Sequence, residues 1–386
     1  MKTAINDIKI VTVGGIVHGS VEVDGGIITK ISKTPLDGGY PIDGTGKYLI
    51  PGFIDMHCHG GLGLDFIDCT AEEMEVLAMH HLMHGTTTML ATTLTATEKT
   101  INDCLKTFGE YKKANPDGTL LGVHMEGPWF SPEQSGAQDP HTMKKPNAEE
   151  LEKIKKEYPF VLRVSAAPEL EGGMEFGLKA KELGIVASVG HTDADFDTVV
   201  EASENGYSLM THFYSGMKGV TRVNTYRVAG AVDAGYYLDD MNVEIIADGK
   251  HLPQSLLKLI YKLKGVDKIS LITDATRGCG LPEGTQSFIG PKEAAIPMLI
   301  ENGVAILKDR TAFAGSTATF DRLYRTMADA IGKDLVALSK MASYNPAKIL
   351  GLNDRGEIAE GKRADLIVMD ENLNVEKIIY KGNIVK

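Results

Sequence analysis

The chain of 386 residues is long enough for one large barrel with an appendage, or for two or three separate domains. Its composition, 43% hydrophobic and 24% charged, is that of a globular protein and excludes a largely disordered chain. Because 52 acidic residues outnumber 40 basic ones, the net charge of −12 argues against nucleic-acid binding through a basic face.

The sequence shows no signal for membrane insertion or secretion. No run of about 18 apolar residues predicts a membrane span, and Asp7 stands where a signal peptide would carry its apolar core. The 4 cysteines form no CxxC pair, which argues against a disulfide framework. We therefore expect a cytoplasmic protein without a membrane or nucleic-acid partner.

Both ends of the chain are predicted to form short strands. β-Branched runs interrupted by glycine-rich turns occur at the start of the chain and return near its end. These runs are residues 8–13, 16–23, 27–31, 365–369 and 375–380. We expect residues 1–50 and 355–386 to form one small β-sandwich domain from both chain termini.

The middle of the chain alternates strand-like runs with amphipathic helical patterns. Thr70 and Glu73 form a capping-box pattern ahead of apolar residues at helical spacing, and Gly85 ends that helix. The strand-like runs are residues 53–56, 86–91, 120–125, 161–166, 185–189, 208–211, 243–247 and 269–273. This alternation predicts an α/β fold with a (β/α)8 TIM barrel over residues 51–354. The competing doubly wound sheet would need a GxGxxG after its first strand, which the sequence lacks.

Residues suited to metal binding and proton transfer follow most of these strands. The active site of a TIM barrel lies at the carboxyl ends of its strands. The residues found there are His57, His59, Glu126, His191, His212, Asp248, His251 and Asp274. Because residues two apart in a strand point the same way, His57 and His59 can face one ion. Imidazole with carboxylate suits zinc, iron and similar ions, which acidify water and polarise a carbonyl, and Asp274 could then act as the base.

Each of these residues alone has an ordinary structural explanation. The HxH pair is a weak motif, His191 and His212 could be buried histidines with satisfied hydrogen bonds, and Asp274 could cap a helix. Their common position at strand ends is what favours a metal site.

Several motifs resemble those of the amidohydrolase superfamily. They are PGFIDMHCHG at residues 51–60, GTTT at residues 85–88 and ADLIV at residues 364–368. Within that superfamily the chain resembles the N-acetylglucosamine-6-phosphate deacetylase family over nearly its whole length. The shared segments are HMEGP at residues 124–128, APE at 167–169, GHT at 190–192, TH at 211–212, ADGKH at 247–251, TDA at 273–275 and AGS at 314–316.

The resemblance implies a metal-dependent hydrolase that removes acetate from N-acetyl-D-glucosamine 6-phosphate in amino-sugar catabolism. It implies Glu126, His191 and His212 as ligands of a main divalent ion, with zinc preferred and iron also suitable. His57 and His59 would complete a second ion position, so that one or two ions are expected.

The same resemblance implies roles for the remaining residues. Asp274 corresponds to the general base that later protonates the leaving nitrogen, and His251 corresponds to a phosphate contact. The residues expected around the substrate are Ala137, Gln138, Ser215, Gly216, Arg222, Arg227 and His251. One of the two arginines is expected to reach the phosphate in a neighbouring subunit, which implies a homodimer.

Two positions depart from the family pattern. The family's Gly-Ala-His is Gly-Ala-Gln here, ending at Gln138, and its Asn-Ala-Met is Ser-Gly-Met, beginning at Ser215. The family's histidine is expected to assist the amide carbonyl and its asparagine to hold the phosphate. A different N-acyl amino sugar or amino acid therefore stays an alternative substrate. A catalytically inactive structural relative is the other alternative, and the complete ligand set argues against it.

Overall fold

The computed structural model describes residues 2–386 and has a parallel eight-stranded sheet at its centre. The strands are β1 Phe53–Cys58, β2 Thr86–Thr92, β3 Leu120–Glu126, β4 Val161–Ala166, β5 Val186–Val189, β6 Tyr207–Met210, β7 Asn242–Ile245 and β8 Ile269–Leu271. Strands that follow one another along the chain are neighbours in the sheet. Every residue of β1 and β2 is buried, as expected for strands covered on both faces. All eight predicted strands are confirmed.

The sheet closes into a barrel where β1 meets the segment after β8. The backbone N–H of Asp274 donates to the carbonyl of His57 across 2.9 Å, and the N–H of His59 donates to the carbonyl of Ala275 across 2.8 Å. Cys58 and Ala275 form a parallel bridge between these hydrogen bonds. This closure places the polar residues at the carboxyl ends of β1 and β8 at the same mouth of the barrel.

Helices follow the barrel strands and cover the sheet. They are α1 Ala71–Leu82, α2 Glu98–Ala114, α3 Ala148–Glu157, α4 Gly173–Glu182, α5 Phe196–Glu204, α6 Ala231–Tyr237, α7 Gln254–Lys264, α8 Phe320–Ile331, α9 Leu335–Ser339 and α10 Asn345–Ile349. Short 3₁₀ turns are Pro132–Gln134, Pro140–Thr142, Val266–Lys268 and Lys292–Ala294, and Lys340–Tyr344 is a π-helical turn. Thr70 and Glu73 cap α1 reciprocally, as predicted. Across residues 2–386, no helix combines the length and apolar content that crossing a bilayer requires.

The two ends of the chain meet in a second eight-stranded sheet. Its strands are Thr3–Thr12, Gly15–Asp24, Ile27–Ser32, Tyr40–Asp43, Tyr48–Pro51, Leu366–Met369, Val375–Tyr380 and Asn383–Ile384. Tyr48–Pro51 pairs with Leu366–Met369 and joins the two ends. The sheet branches at Thr3–Thr12, which also pairs with Tyr40–Asp43. The N–H of Ile28, in the edge strand Ile27–Ser32, donates to the carbonyl of Lys362 across 2.9 Å, so this edge lies close to the segment that precedes Leu366–Met369. The sheet thereby encloses its own aliphatic core, as the predicted β-sandwich requires.

Three small antiparallel elements were not predicted from the sequence. One is a hairpin of Thr221–Val223 and Tyr226–Val228 after β6, and another is the pair Gly60–Gly61 and Leu64–Asp65 after β1. The third stands between β8 and α8, and we name it the inserted sheet. Its strands are Gln286–Ile289, Ile296–Glu301, Val304–Leu307 and Phe313–Ser316.

Candidate active site

Strand β1 delivers two histidines to the barrel mouth. His57 and His59 are two positions apart, so both rings turn to the same side, and their Nε2 atoms lie 3.1 Å apart. The Cys58 side chain points the other way, with its Sγ 3.3 Å from Nε2 of His81 on α1. Both β1 histidines are buried. The alternation expected from the HxH spacing is therefore present.

Three further residues at strand ends have left-handed backbone conformations. The φ angles are 45° at His191, 28° at His212 and 46° at Asp274, after β5, β6 and β8 respectively. Residues other than glycine adopt positive φ uncommonly, and such backbone strain gathers at functional sites. The three side chains are buried beside the β1 histidines.

Glu126, the last residue of β3, lies at the centre of this cluster. Its Oε1 is 2.9 Å from Nε2 of His212 and 3.3 Å from Nε2 of His191. The same oxygen is 3.4 Å from Nε2 of His57, and Oε2 is 3.4 Å from Nε2 of His59. Glu126 thus belongs to two groups of possible metal ligands, one with each histidine pair. All five residues predicted as metal ligands are brought together.

Backbone carbonyls fix the tautomers of two of these histidines. Nδ1 of His191 lies 2.7 Å from the carbonyl oxygen of Gln134, and Nδ1 of His212 lies 3.2 Å from that of Ser215. Because a carbonyl oxygen only accepts, each Nδ1 carries a proton, and in the neutral ring each Nε2 therefore offers a lone pair. Both lone pairs face the Glu126 carboxylate, so hydrogen-bond acceptors face each other with no donor between them. A cation between them satisfies both groups.

The charges around the cluster also fit a bound cation. Burial lowers the pKa of His57 and so favours the neutral imidazole that binds metals. Although burial opposes ionisation, the neighbouring imidazoles hold the pKa of the Glu126 carboxyl well below its ordinary value. Despite burial, Asp274 and Glu126 raise the pKa of His59 to about 9, which shows that this position attracts positive charge. The donor set, imidazole nitrogens and a carboxylate, suits a divalent first-row ion.

Asp274 lies at the edge of the same cluster. Its Oδ1 is 3.1 Å from Nε2 of His59 and 3.4 Å from Nε2 of His57. Burial opposes ionisation of this carboxyl, but the imidazoles of His57 and His59 hold its pKa below the ordinary value. Asp274 is therefore an ionised carboxylate beside the candidate ligands, able to accept a proton.

Gln138 contacts the cluster from the loop after β3. Its Nε2 donates to Oε2 of Glu126 across 2.6 Å and lies 3.4 Å from Nε2 of His191. Its Oε1 accepts from the backbone N–H of Thr95 across 2.7 Å. Gln138 is thus a bound neighbour of the shared carboxylate, a contact that the sequence did not reveal.

A cavity of about 170 Å³ opens over the cluster. Of the predicted substrate residues, those that line it are Ala137, Gln138, Ser215, Gly216 and His251. An apolar wall of the cavity consists of Ile289, Ala312 and Phe313, from the inserted sheet and its turns. Sequence reasoning missed this wall because the segment carries no residue type that suggests chemistry.

His251 is held at the cavity by a buried acid. Its Nδ1 lies 2.8 Å from Oδ2 of Asp248, and Oδ1 of Asp248 accepts from the backbone N–H of His251 across 2.9 Å. Burial opposes ionisation of Asp248, but its contacts with His251 hold the pKa of its carboxyl below the ordinary value. The His251 ring packs on Phe313 with centroids 4.9 Å apart. The ring is therefore fixed, with Nε2 left for a ligand.

Arg222 and Arg227 do not line the cavity of their own chain. They are opposite each other in the hairpin after β6. That hairpin is exposed to solvent, with Tyr226 77% exposed. The structure therefore separates the two predicted arginines from the other substrate residues within this chain.

Comparisons with known proteins identify relatives of this chain. The amidohydrolase family model matches residues 48–385. The chain is 33% identical to the N-acetylglucosamine-6-phosphate deacetylase of Lysinibacillus sphaericus, over 89% of this chain and 87% of that protein. It is 31% identical to the N-acetylgalactosamine-6-phosphate deacetylase of Escherichia coli O157:H7, over 93% of this chain and 92% of that protein. A solved structure with a similar fold is that of a variant of N-acetyl-D-glucosamine-6-phosphate deacetylase from Mycobacterium smegmatis in complex with N-acetyl-D-glucosamine-6-phosphate. It matches with a TM-score of 0.91 and 28% sequence identity, over 100% of this chain and 99% of that one.

Proposed function

Because this chain belongs to the N-acetylglucosamine-6-phosphate deacetylase family of amidohydrolases, we propose that it hydrolyses the amide bond of N-acetyl-D-glucosamine 6-phosphate. The products are D-glucosamine 6-phosphate and acetate, and the reaction belongs to amino-sugar catabolism. The observation that carries this proposal is the convergence of two histidine pairs on Glu126, with Asp274 beside them at a cavity.

The proposed cofactor is a divalent ion, zinc in the first place and iron as the alternative. Glu126, His191 and His212 would hold the main ion, and His57 and His59 would hold a second one together with Glu126. Such an ion, when bound, polarises the amide carbonyl and lowers the pKa of water.

Asp274 is the proposed proton carrier of the reaction. Its carboxylate takes a proton from the attacking water and returns it to the nitrogen as the C–N bond breaks. The depressed pKa of Asp274 supports this role, since the group must be ionised before it accepts a proton. Its Oδ1 lies beside both β1 histidines, and Asp274 lines the cavity, so the carboxylate is within reach of a water bound at this cluster.

The phosphate end of the substrate is proposed to meet His251. The contact between Nδ1 of His251 and the Asp248 carboxylate fixes the ring, so that Nε2 would contact a phosphate oxygen at the cavity. Ala137, Ser215 and Gly216 line the same cavity and would contact the sugar.

We further propose a homodimer in which the exposed hairpin reaches a second copy. Arg222 or Arg227 would then supply the phosphate with a guanidinium, a group that the cavity lining formed by residues 2–386 does not contain. Light scattering of the purified protein measures the mass, and a monomer would contradict this arrangement. The cytoplasmic location stays a prediction.

The decisive experiment joins metal analysis to an acetate-release assay. The purified protein is expected to contain zinc or iron and to release acetate from N-acetyl-D-glucosamine 6-phosphate. N-acetylgalactosamine 6-phosphate, unphosphorylated N-acetylglucosamine and an N-acetyl amino acid serve as competing substrates. Faster turnover of any of these would replace the proposed substrate. Bound metal without turnover of any of them would favour an inactive relative.

A further inference from the structure

A buried ion pair lies inside the barrel beneath the histidine cluster. Arg163 of β4 and Glu244 of β7 are both fully buried and form a two-pronged salt bridge, with Nη2 of Arg163 2.6 Å from Oε2 of Glu244. The guanidinium also donates to the carbonyl of Met56 across 3.0 Å, and to the hydroxyls of Ser188 and Thr211 across 3.2 Å each. The pair is therefore held in place by groups from three other strands or strand ends.

The anionic end of this pair faces a histidine of the cluster. Nδ1 of His57 lies 3.8 Å from Oε2 of Glu244, and within residues 2–386 that nitrogen has no hydrogen-bond partner. Nε2 on the other side of the ring faces Glu126. When Nε2 offers its lone pair to an ion, Nδ1 carries the proton and needs an acceptor beside it. The carboxylate of Glu244 is the acceptor that lies beside it.

The other histidine pair does not depend on a buried charge. His191 and His212 direct Nδ1 to backbone carbonyls, as described above. A barrel interior is ordinarily filled by branched aliphatic side chains, and a buried ion pair contributes less stability than such packing. The Arg163–Glu244 pair thus needs an explanation beyond stability, and its contact with His57 provides one.

We propose that Glu244, neutralised by Arg163, is a positioning residue for His57. It holds the Nδ1–H tautomer and thereby serves the ion position formed by His57, His59 and Glu126, and not the position formed with His191 and His212. The inference rests on the proposed metal-dependent function.

The test must separate the acceptor beside His57 from the charges of the pair. Glu244→Gln alone would leave Arg163 buried without its partner and could prevent folding. Two double variants avoid this. Arg163→Met with Glu244→Leu removes both charges and the acceptor, whereas Arg163→Met with Glu244→Gln removes both charges but keeps an acceptor oxygen.

The readout is Zn²⁺ binding by the apoprotein in a chelator competition, with thermal melting to verify folding. The wild type is expected to bind two equivalents. The leucine double variant is expected to bind the second equivalent about 10- to 100-fold more weakly and the first one normally. The glutamine double variant is expected to recover most of that loss.

Two equivalents bound normally by the leucine variant, or one equivalent in the wild type, would overturn the inference. An equal loss in both double variants would also overturn it, because the pair would then act only through its charges. A wild type that binds no metal would instead contradict the proposed function.

Discussion

The side-chain amide of Gln138 donates to Oε2 of Glu126 across 2.6 Å, while its own carbonyl accepts from the backbone N–H of Thr95 across 2.7 Å. Because a backbone N–H can only donate, the orientation of the amide is determined, and its NH₂ group faces the carboxylate. The family's histidine at this position is expected to assist the amide carbonyl of the substrate. Gln138 is instead engaged with the carboxylate that both histidine pairs share.

We expect Gln138→Leu to weaken metal binding. The variant keeps the volume of the side chain but leaves Oε2 of Glu126 without its donor, so the carboxylate is less well oriented toward the ion. The affinity for Zn²⁺ in a chelator competition should fall about 10- to 100-fold. Gln254→Leu, at the exposed beginning of α7, is the matched control and should bind Zn²⁺ normally. An unchanged affinity in Gln138→Leu would show that the hydrogen bond does not orient Glu126.

Asp274→Asn should abolish most turnover without loss of metal. Asparagine has the same shape but cannot accept the proton of water, so kcat should fall about 10²- to 10⁴-fold. The metal content should stay at the wild-type level, because Asp274 belongs to neither ligand group. Asp240→Asn, on the surface, controls for the loss of a carboxylate. A near-normal kcat would exclude Asp274 as the proton carrier.

The two hairpin arginines can be distinguished by steady-state kinetics. We expect Arg222→Ala or Arg227→Ala to raise KM for the phosphorylated substrate about 10- to 100-fold with little change in kcat, because a hydrogen bond to a charged group is lost. Turnover of unphosphorylated N-acetylglucosamine should not change. Arg310→Ala, on the exposed turn after Val304–Leu307, is the control. Normal KM values in both hairpin variants would remove the arginines from the site.

Lys264 should make stability depend on alkaline pH. The residue ends α7, and its Nζ donates to the carbonyls of Gly235 and Leu238 across 2.9 and 2.8 Å. Burial lowers its pKa from 10.5 to about 8. Because the folded pKa is the lower one, the unfolded chain binds the proton more tightly, and the free energy of unfolding rises with pH between these two values.

Lys264→Met should remove this rise. Between pH 7.5 and 10 in urea unfolding, the wild type should gain about 1–3 kcal/mol relative to the variant. Lys262→Met, on the exposed face of the same helix, should follow the wild type. Parallel pH curves for the wild type and Lys264→Met would contradict the depressed pKa.

The convergence of the candidate metal ligands was predictable because the fold alone decides where strand ends meet. His57, Glu126 and His212 are distant in the sequence, yet each one lies at or just after the carboxyl end of a strand. Once the alternation of strands and helices indicates a barrel, these side chains must share one mouth. The helix capped by Thr70 was predictable for a similar reason, since its signal lies within a few neighbouring residues.

The contacts of Gln138 and Arg163 were not predictable. Gln138 lies in an irregular loop whose path depends on tertiary contacts, among them the hydrogen bond from Thr95. Arg163 pairs with Glu244 across 81 positions of sequence, inside a barrel where the strand pattern leads one to expect aliphatic residues. Pairing between buried charges leaves no local pattern in the sequence.

The inserted sheet did leave one signal. Asn302 and Gly303 separate two short β-branched runs and adopt φ angles of 55° and 72°, the conformation of a tight two-residue hairpin turn. The Asn-Gly pair is a strong hairpin indicator and would have revealed these two strands. Their position over the cavity, however, depends on packing that the turn does not specify.

The inserted sheet has a consequence for how this family could diversify. Ile289 and Phe313 line the cavity, and both belong to the inserted sheet, which contributes no barrel strand and no candidate metal ligand. Insertions, deletions or substitutions in the inserted sheet can therefore change which acyl group or sugar fits the cavity while the candidate ligands and Asp274 stay unchanged. This part of the cavity wall is thus encoded apart from the residues that would bind the metal and can change without altering them.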